Sequence, residues 1–271
     1  MESIILPITI LTEDLVSVIR EAGRLIMTFY RQDVDVSIKS DGSPITLADK
    51  ASHEFLVRRL SKYSFPVVSE ESEEEKFSSD YYWLIDPLDG TKDFLARNDE
   101  FAINIALMYQ GKPILGLIFA PALDELYFGS KNGELWFEKS GIRVEKTKTR
   151  NKNHNELVMA VSRFHNHEDA ETFAKLNNIK ESISIGASIK YGRMAFGEID
   201  LYPRFVGTSE WDTAAGHAIL EASGGCVLDL QTGAELLYGK NNRRNGSFLA
   251  LSKKLVQQNF QIPNHANAAR Y

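Results

Sequence analysis

The 271-residue sequence predicts an α/β protein in two halves, an α+β half over residues 1–150 and a layered α/β half over residues 151–271. Three observations support this prediction. Two helical patterns open the chain, short apolar runs separated by turn residues follow them, and strand and helix patterns alternate through the second half. The polar stretch Lys146–Asn155 is typical of a linker between the halves.

Composition excludes several classes of protein. Hydrophobic residues make up 43% of the chain and charged residues 25%, which are ordinary globular values. A formal charge of -6 argues against a nucleic-acid partner held by a basic surface. The single cysteine excludes a disulfide framework and favours a reducing, cytoplasmic location.

Membrane segments and targeting signals are not predicted. No apolar run approaches the roughly 20 residues that span a bilayer. The apolar stretch Ile4–Leu11 lacks a basic region before it and contains Pro7, which argues against a signal peptide. Peripheral association at the inner face of the membrane stays compatible with the sequence, and so does a homodimer.

Two amphipathic helices are predicted at the N-terminus. Apolar residues recur at helical spacing from Leu15 to Phe29, with Thr12 as the expected N-cap. A second helix is expected from about Ile45 to Leu60. Thr46 and Asp49 have the spacing of a capping box at its start.

Strands are predicted after these helices. The apolar runs are Pro66–Ser69, Tyr82–Ile85, Phe101–Tyr109, Ile114–Ala120 and Leu126–Gly129. Turn-like clusters between the last three favour an antiparallel meander, which continues through a hairpin turn at Asn132–Gly133 into Leu135–Phe137.

The second half alternates between strands and helices. Strands are expected over residues 157–161, 182–185, 199–202, 226–228 and 247–251. Helices are expected over residues 168–176, 188–196 and 213–222, with a short helix after the last strand. The tail from about Pro263 has little apolar content and is predicted to fray.

The strongest chemical signal is the run Trp83–Thr91. A buried strand ends in a tight turn whose carboxylates, Asp86 and Asp89, and backbone carbonyl of Leu88 can face one point. Hard divalent cations prefer such oxygen ligands. Gly90 and Thr91 then precede a short helix whose free N–H groups would face an anion. Turn chemistry alone is the alternative, since Asp-Pro and Asp-Gly are common in turns.

Three further acidic residues stand at predicted element ends. Glu70 follows a strand, Asp49 belongs to the predicted cap, and Asp212 precedes the helix that begins near Thr213. Their structural interpretations are a solvated acidic loop for Glu70–Glu75, a capping box for Asp49 and an N-cap for Asp212. A capping role is compatible with a metal-ligand role, because a helix N-terminus keeps a carboxylate ionised and oriented.

These motifs resemble the signatures of a known superfamily. Ser69–Ser72, Trp83–Thr91 and Trp211–Gly216 match, in order and spacing, the inositol monophosphatase-like superfamily of Mg-dependent, lithium-sensitive phosphatases. The resemblance extends from about residue 12 to residue 251 and implies an αβαβα sandwich. Charge favours the same conclusion independently, because four converging carboxylates repel each other and a phosphate unless divalent cations neutralise them.

The resemblance implies roles for individual residues. Glu70, Asp86 and the Leu88 carbonyl would hold one Mg2+, Asp86, Asp89 and Asp212 a second, and a weaker third ion would lie beside Glu70. Asp49, Thr91 and Glu70 are the expected catalytic residues, with Asp49 and Thr91 as a hydrogen-bonded pair that orients a water. The substrate phosphate is expected to meet Glu70, Leu88, Asp89, Gly90, Thr91 and Asp212.

Substrate choice is expected to depend on residues beyond the metal ligands. Inositol monophosphatases carry a glutamate where Arg204 falls, and a guanidinium suits a second phosphate. Lys190 is expected to add a cationic contact. A surface salt bridge for Arg204 and a solvated helix face for Lys190 are the alternatives.

The phrases Tyr202–Phe205 and Glu210–His217, together with Lys92, resemble the CysQ-type 3'(2'),5'-bisphosphate nucleotidases. That group removes the 3'-phosphate of adenosine 3',5'-bisphosphate, giving AMP and phosphate, in sulfate assimilation. Activity on inositol phosphates or fructose 1,6-bisphosphate, and a catalytically silent scaffold, stay open as alternatives. None of the six histidines is assigned a role.

Overall fold

Two large β-sheets, a small two-stranded sheet and the helices packed on them make up the described part of the molecule. It is shown here by a computed structural model that describes residues 8–32, 36–38, 44–72, 79–144, 157–164 and 168–263. The helices are α1 (Ile8–Tyr30), α2 (Leu47–Leu60), α3 (Thr91–Ala96), α4 (Glu168–Leu176), α5 (Ile189–Ala195) and α6 (Ala214–Ala222). The strands of the first half are β1 (Val36–Ile38), β2 (Pro44–Thr46), β3 (Val67–Ser69), β4 (Tyr81–Asp89), β5 (Ala102–Tyr109), β6 (Lys112–Ala120), β7 (Glu125–Ser130), β8 (Leu135–Lys139) and β9 (Ile142–Val144). The strands of the second half are β10 (Val158–Ser162), β11 (Glu181–Ile185), β12 (Leu201–Arg204), β13 (Cys226–Asp229) and β14 (Phe248–Leu251).

The larger sheet contains seven strands in the order β3-β4-β5-β6-β7-β8-β9. β3 runs parallel to β4, and every other neighbouring pair is antiparallel. The smaller sheet has the order β11-β10-β12-β14-β13, with β10 parallel to β11 and β12. The meander predicted for the first half is therefore confirmed.

Three apolar clusters separate the layers. One joins α1 and α2 to the first face of the larger sheet and includes Trp83 and Phe119. The central cluster packs α5 and α6 between the two sheets, and includes Tyr127 and Phe248. The third lies between α4 and the outer face of the smaller sheet, around Phe173. The order helix, sheet, helix, sheet, helix confirms the predicted αβαβα sandwich.

Most predicted elements are present with shifts of a few residues. α4 has the predicted bounds, and α2 follows Thr46 as its N-cap. The prediction of Thr12 as the cap of the first helix is wrong, because α1 begins at Ile8 and Thr12 is buried inside it. The predicted linker, the acidic residues 73–75 and the tail beyond residue 263 lie outside the described residues. The division into two halves stays a prediction.

A close contact between α6 and the larger sheet fixes the position of Asp212. Gly116 on β6 faces the helix, and a Cβ there would lie 2.2 Å from the carbonyl oxygen of Ala215. Gly129 on β7 is in the same situation against Ile219, at 2.5 Å from its Cα. Glycine at both positions lets the helix approach the sheet closely, and the start of α6 carries Asp212 with it.

No described helix combines the length and the apolar character needed to span a bilayer.

Candidate active site

Parallel pairing of β3 with β4 places two acidic motifs at one sheet edge. Glu70 directly follows β3, and Asp86 and Asp89 lie at the carboxyl end of β4. The backbone N–H of Glu70 donates to the carbonyl of Ile85 at 3.2 Å, which fixes Glu70 beside β4. The loop before α6 brings Asp212 to the same place from the second half of the chain.

The carboxylates of Glu70, Asp86 and Asp212 form the acidic cluster of the site. One oxygen from each lies within 4.8 Å of the others, and Asp86 is 1% exposed. Asp89 stands beside this group, where its Oδ2 accepts from the backbone N–H of Ser188 at 2.6 Å and from the amide of Asn104 at 3.2 Å. The sequence therefore predicted a set of acids that the fold does bring together.

Electrostatics in the cluster disfavour negative charge without a cation. Burial raises the pKa of Asp86 well above its ordinary value, and the neighbouring charges of Glu70, Asp89 and Asp212 raise it further. Burial, with Asp89 and Glu70, raises the pKa of Asp212 to about 8. A cation bound between these oxygens would lower the pKa values of both Asp86 and Asp212.

The donor set fits a hard divalent cation. Carboxylate oxygens and a backbone carbonyl are the ligands that Mg2+ and Ca2+ take, and Leu88 lines the cavity beside Asp86 and Asp89. The tight turn is held by a hydrogen bond from its backbone to one of these side chains, because the N–H of Leu88 donates to Oδ1 of Asp86 at 3.0 Å. The site therefore offers preorganised oxygen ligands on a buried strand end.

Asp49 and Thr91 form a hydrogen-bonded pair at the rim of the cluster. Oδ2 of Asp49 accepts from the backbone N–H and the hydroxyl of Thr46, at 2.7 and 2.6 Å, which confirms the predicted cap. Oδ1 of Asp49 accepts from the hydroxyl of Thr91 at 3.1 Å. Asp49 is therefore both a helix cap and the partner of a side chain that lines the cavity.

The prediction of Asp212 as an N-cap is wrong. The residue in the N-cap position of α6 is Thr213, and its side chain makes no capping hydrogen bond. Oδ2 of Asp212 accepts instead from the backbone N–H of Ser209 at 2.8 Å. This short turn, rather than the helix end, orients the carboxylate toward Glu70 and Asp86.

A cavity of about 270 Å³ opens over the acidic cluster. Among its lining residues are five acids and five bases. The acids are Glu70, Asp86, Asp89, Asp93 and Asp212, and the bases are Lys92, Arg163, Lys190, Arg204 and Arg244. Gly90 and Thr91, at the start of α3, also line the cavity, so acidic and basic groups face a common space.

Arg204 and Lys190 lie inside the cavity wall, contrary to the surface alternatives. Arg204 is 7% exposed and donates to the hydroxyl of Ser162 at 2.7 Å and to the carbonyl of Val206 at 2.9 Å. Lys190 is 4% exposed, donates to the carbonyl of Ala187 and lies 5.0 Å from the ring centre of Tyr202. Both cations thus bond to neutral oxygens, which leaves their charge available to an anion.

Tyr202 is a cavity residue that sequence reasoning missed as a functional candidate. Burial raises its pKa, but the charges of Arg204 and Lys190 outweigh burial and the pKa is lowered. Its hydroxyl lies 3.0 Å from that of Ser162. The alternation of Tyr202 and Arg204 along β12 would have placed their side chains on one face, which is the signal the sequence offered.

Arg163 and Arg244 were also missed. Arg163 forms ion pairs with Asp93, at 3.4 Å, and with Glu100, so its charge is already matched. Arg244 donates to the hydroxyl of Ser209 at 3.0 Å. Both residues lie in loops, where no periodic pattern indicates the direction of a side chain, so neither could be predicted from the sequence.

Comparison with known proteins agrees with this geometry. The sequence profile described as "Inositol monophosphatase family" matches residues 9–266. The chain is similar to 3'(2'),5'-bisphosphate nucleotidase CysQ of Salmonella typhimurium, at 39% identity over 226 residues that cover 81% of this chain and 90% of the relative. It is 41% identical to the protein of the same name from Escherichia coli K12, over 78% of this chain and 87% of the relative.

Solved structures show the same fold. CysQ from Bacteroides thetaiotaomicron superposes with a TM-score of 0.78 at 34% identity, covering 89% of this chain and 96% of the other. An inositol monophosphatase from Thermotoga maritima gives a TM-score of 0.74 at 22% identity, covering 90% and 92%, and supports the fold alone. Fold, ordered motifs and sequence similarity over most of the chain agree, and the chain belongs to the inositol monophosphatase family.

Proposed function

We propose that this chain is a Mg2+-dependent 3'(2'),5'-bisphosphate nucleotidase that removes the 3'-phosphate of adenosine 3',5'-bisphosphate, giving AMP and phosphate. The relatives at about 40% identity carry that activity in their name. The observation that carries the proposal for this chain is the cavity itself, where buried carboxylates face buried cations. A substrate with two phosphates fits such a site, because one phosphate can meet metal ions held by the carboxylates while the other meets the basic side chains. The single cysteine supports a place in the cytoplasm. The similarity to CysQ supports a role in sulfur assimilation.

Metal ions would be held by the acidic cluster. Glu70, Asp86 and the Leu88 carbonyl are the proposed ligands of one Mg2+, and Asp86, Asp89 and Asp212 of a second, with a weaker third beside Glu70. When bound, such ions polarise a phosphoryl oxygen, lower the pKa of a ligated water and stabilise the leaving alkoxide. The raised pKa values of Asp86 and Asp212 express the same need for positive charge.

Asp49 and Thr91 are proposed to position the attacking water. The hydroxyl proton of Thr91 is donated to Asp49, so the lone pairs of its oxygen are left to accept a hydrogen bond from a water in the cavity. Thr46 fixes the far oxygen of Asp49 with two donors. The pair therefore holds a water in one orientation, with Asp49 able to take up its proton through Thr91.

Arg204 and Lys190 are proposed to bind the phosphate that is not hydrolysed. Both are nearly fully buried and bond to neutral oxygens, so a substrate phosphate would supply the missing negative charge. Arg204 can offer its planar guanidinium in two parallel hydrogen bonds. Inositol 1-phosphate has no second phosphate to place there, which favours the bisphosphate over the inositol alternative.

One assay tests this function. Phosphate release is measured from adenosine 3',5'-bisphosphate, inositol 1-phosphate and fructose 1,6-bisphosphate, each with Mg2+, with EDTA and with added Li+. The proposal expects Mg2+-dependent, Li+-sensitive release, with the highest kcat/KM on the adenosine bisphosphate. A higher kcat/KM on inositol 1-phosphate or fructose 1,6-bisphosphate would transfer the assignment to that substrate. No release from any of them would support the scaffold alternative.

A further inference from the structure

A second group of metal-ligand side chains lies outside the cavity. His217 and Glu221 stand one turn apart on α6, and Glu235 lies in the loop that follows β13. One ligand atom from each lies within 4.8 Å of the others. None of the three lines the active-site cavity. The proposed nucleotidase mechanism uses none of them.

The imidazole of His217 points toward the two glutamates with one ring nitrogen that has no hydrogen-bond partner in the described part of the chain. Its Nδ1 lies 3.0 Å from the hydroxyl of Tyr238, while Nε2 has no hydrogen-bond partner among the described residues. The side chain is 0% exposed, and burial lowers its pKa to about 4, so the ring is neutral near pH 7. Nε2 lies 3.7 Å from Oε1 of Glu221, which is too far for a hydrogen bond and, with a neutral ring, is not an ion pair.

The carboxylates of Glu221 and Glu235 lie close enough for the charge of one to shift the pKa of the other. Burial and the neighbouring Glu235 raise the pKa of Glu221 to about 7. Burial also raises the pKa of Glu235. The ammonium of Lys112, whose Nζ lies 2.5 Å from Oε2 of Glu235, outweighs burial, so the pKa of Glu235 is lowered. Lys131 and the thiol of Cys226 are the other titratable groups that interact with this pair, besides Tyr238. A carboxylate pair of this kind gains from a cation of higher charge than lysine.

We propose that His217 Nε2, Glu221 and Glu235 form a binding site for one divalent transition-metal ion of the zinc class. A nitrogen and two carboxylate oxygens are a ligand set that zinc accepts, and it leaves a fourth position for water. Ligand bonds of about 2.0–2.2 Å in a tetrahedral site separate ligand atoms by about 3.4 Å, close to the 3.7 Å observed between His217 and Glu221. Small rotations of two partly exposed glutamates complete the geometry.

Two surrounding groups support the site. The hydroxyl of Tyr238 can accept from Nδ1–H of His217, which fixes the tautomer that leaves Nε2 as a ligand. The side chains of Glu221 and Glu235 are 37% and 33% exposed, so an ion can enter from solvent. Lys112 is 47% exposed and can turn away when the ion binds. The ion would tie α6 to the loop after β13.

Zinc binding to the whole protein tests this proposal. Equilibrium dialysis counts the Zn2+ bound per chain, and thermal unfolding is followed with and without Zn2+. The wild-type chain and Glu198→Gln, a matched change at an exposed acid of the same protein, are expected to bind the same number of ions. Glu221→Gln and Glu235→Gln are each expected to bind one fewer, with at least about 100-fold weaker affinity at this site. Asp86→Asn, which alters the acidic cluster, is expected to retain the ion.

Two results would overturn the site. Equal zinc stoichiometry in the wild type, Glu221→Gln and Glu235→Gln would show that these glutamates bind no ion. Displacement of this zinc by equal concentrations of Ca2+ would show a pair of surface carboxylates without the imidazole nitrogen, since calcium prefers oxygen ligands. The glutamate variants are informative even where His217→Gln fails to fold, because their side chains are partly exposed.

Discussion

The hydroxyl of Thr91 donates a hydrogen bond to Oδ1 of Asp49 at 3.1 Å, across 42 positions of sequence. The same aspartate caps α2 through its other oxygen. The carboxylate of Asp49 therefore has two roles, because it stabilises the start of α2 and orients the hydroxyl of Thr91 in the cavity. A substitution that keeps the cap while changing the group that faces Thr91 separates the two roles.

Asp49→Asn is such a substitution. The amide oxygen can keep the bonds from Thr46, which leaves the NH2 group facing Thr91. The threonine proton then loses its carboxylate acceptor and can turn to the carbonyl of Leu88, at 3.4 Å, instead. We expect kcat on adenosine 3',5'-bisphosphate to fall at least about 100-fold while the fold is kept. Phosphate release measures the first and circular dichroism the second. Near-normal turnover would remove Asp49 from the catalytic role.

Asp89→Asn tests the metal role of the strand end. Asparagine retains an oxygen that can accept from Ser188 and Asn104 but lacks the negative charge. We expect at least about a 100-fold loss of rate and a weaker thermal stabilisation by Mg2+. Asp80→Asn, at an exposed acid just before the opposite end of β4, is the control. If both variants respond to Mg2+ as the wild type does, Asp89 is not a ligand.

The sequence predicted most of the layers and the acids of the site for a physical reason. Buried strands and capped helices leave periodic patterns in the sequence. The turn after Ile85 is also recognisable, because Pro87 restricts its own φ angle and Gly90 permits the positive φ that the turn needs. The parallel pairing of β3 with β4, which was not predicted, then puts Glu70 near Asp86.

Contacts between distant segments left no such pattern. Arg204 reaches Ser162 on β10, 42 positions away, and only the order of strands in the smaller sheet brings them together. The Ser209 N–H that holds Asp212 belongs to an irregular loop. For α1, the apolar residues before Thr12 extend the helix, although Thr12 has the residue type of a cap.

Gly116→Ala is expected to disturb the active site from a distance. Its Cβ would stand 2.2 Å from the carbonyl oxygen of Ala215, a backbone atom that can move only with α6, three residues from Asp212. We expect a loss of about 1–3 kcal/mol in the free energy of unfolding together with weaker Mg2+ dependence. Gly246→Ala, where nothing lies within 4 Å of an added Cβ, is the matched control. Equal denaturation midpoints for the two variants would contradict this close approach.

Glu125→Gln is expected to change acid stability. Glu125 on β7 is 5% exposed and accepts from Lys139 at 2.8 Å and from the hydroxyl of Tyr127 at 2.9 Å, with Arg193 at 3.4 Å. Burial raises its pKa, but these partners outweigh burial and hold it below the ordinary value of 4.5.

The sign of the pH effect follows from that shift. Below pH 4.5 the unfolded chain protonates Glu125 before the folded chain does, so the folded state loses stability as the pH falls further. We expect the melting temperature of the wild type to fall more steeply between pH 5 and 3 than that of Glu125→Gln. At pH 7 the free energy of unfolding of Glu125→Gln is expected to be about 2 kcal/mol lower than that of the wild type. Parallel curves for the two proteins would mean that the ionised Glu125 contributes no stability.

Arg204→Gln tests which phosphate the basic wall recognises. Glutamine can keep a hydrogen bond toward Ser162 but has no charge for a phosphate. Adenosine 3'-monophosphate presents the same scissile ester without the 5'-phosphate, so it is the matched substrate. We expect kcat/KM to fall at least about tenfold for adenosine 3',5'-bisphosphate and less than about threefold for the monophosphate, because only the former loses a charged hydrogen bond.

The exposed Arg31→Gln serves as the control for this charge change, and both activities of that variant should match the wild type. Equal losses on the two substrates in Arg204→Gln would mean that Arg204 supports the cavity wall through Ser162 and Val206 without touching the second phosphate. Lys190→Met would then decide whether the wall binds a phosphate at all, because its ammonium lies in the same cavity and bonds only to a backbone carbonyl and a tyrosine face among the described residues. A selective loss in Lys190→Met alone would assign the 5'-phosphate to Lys190.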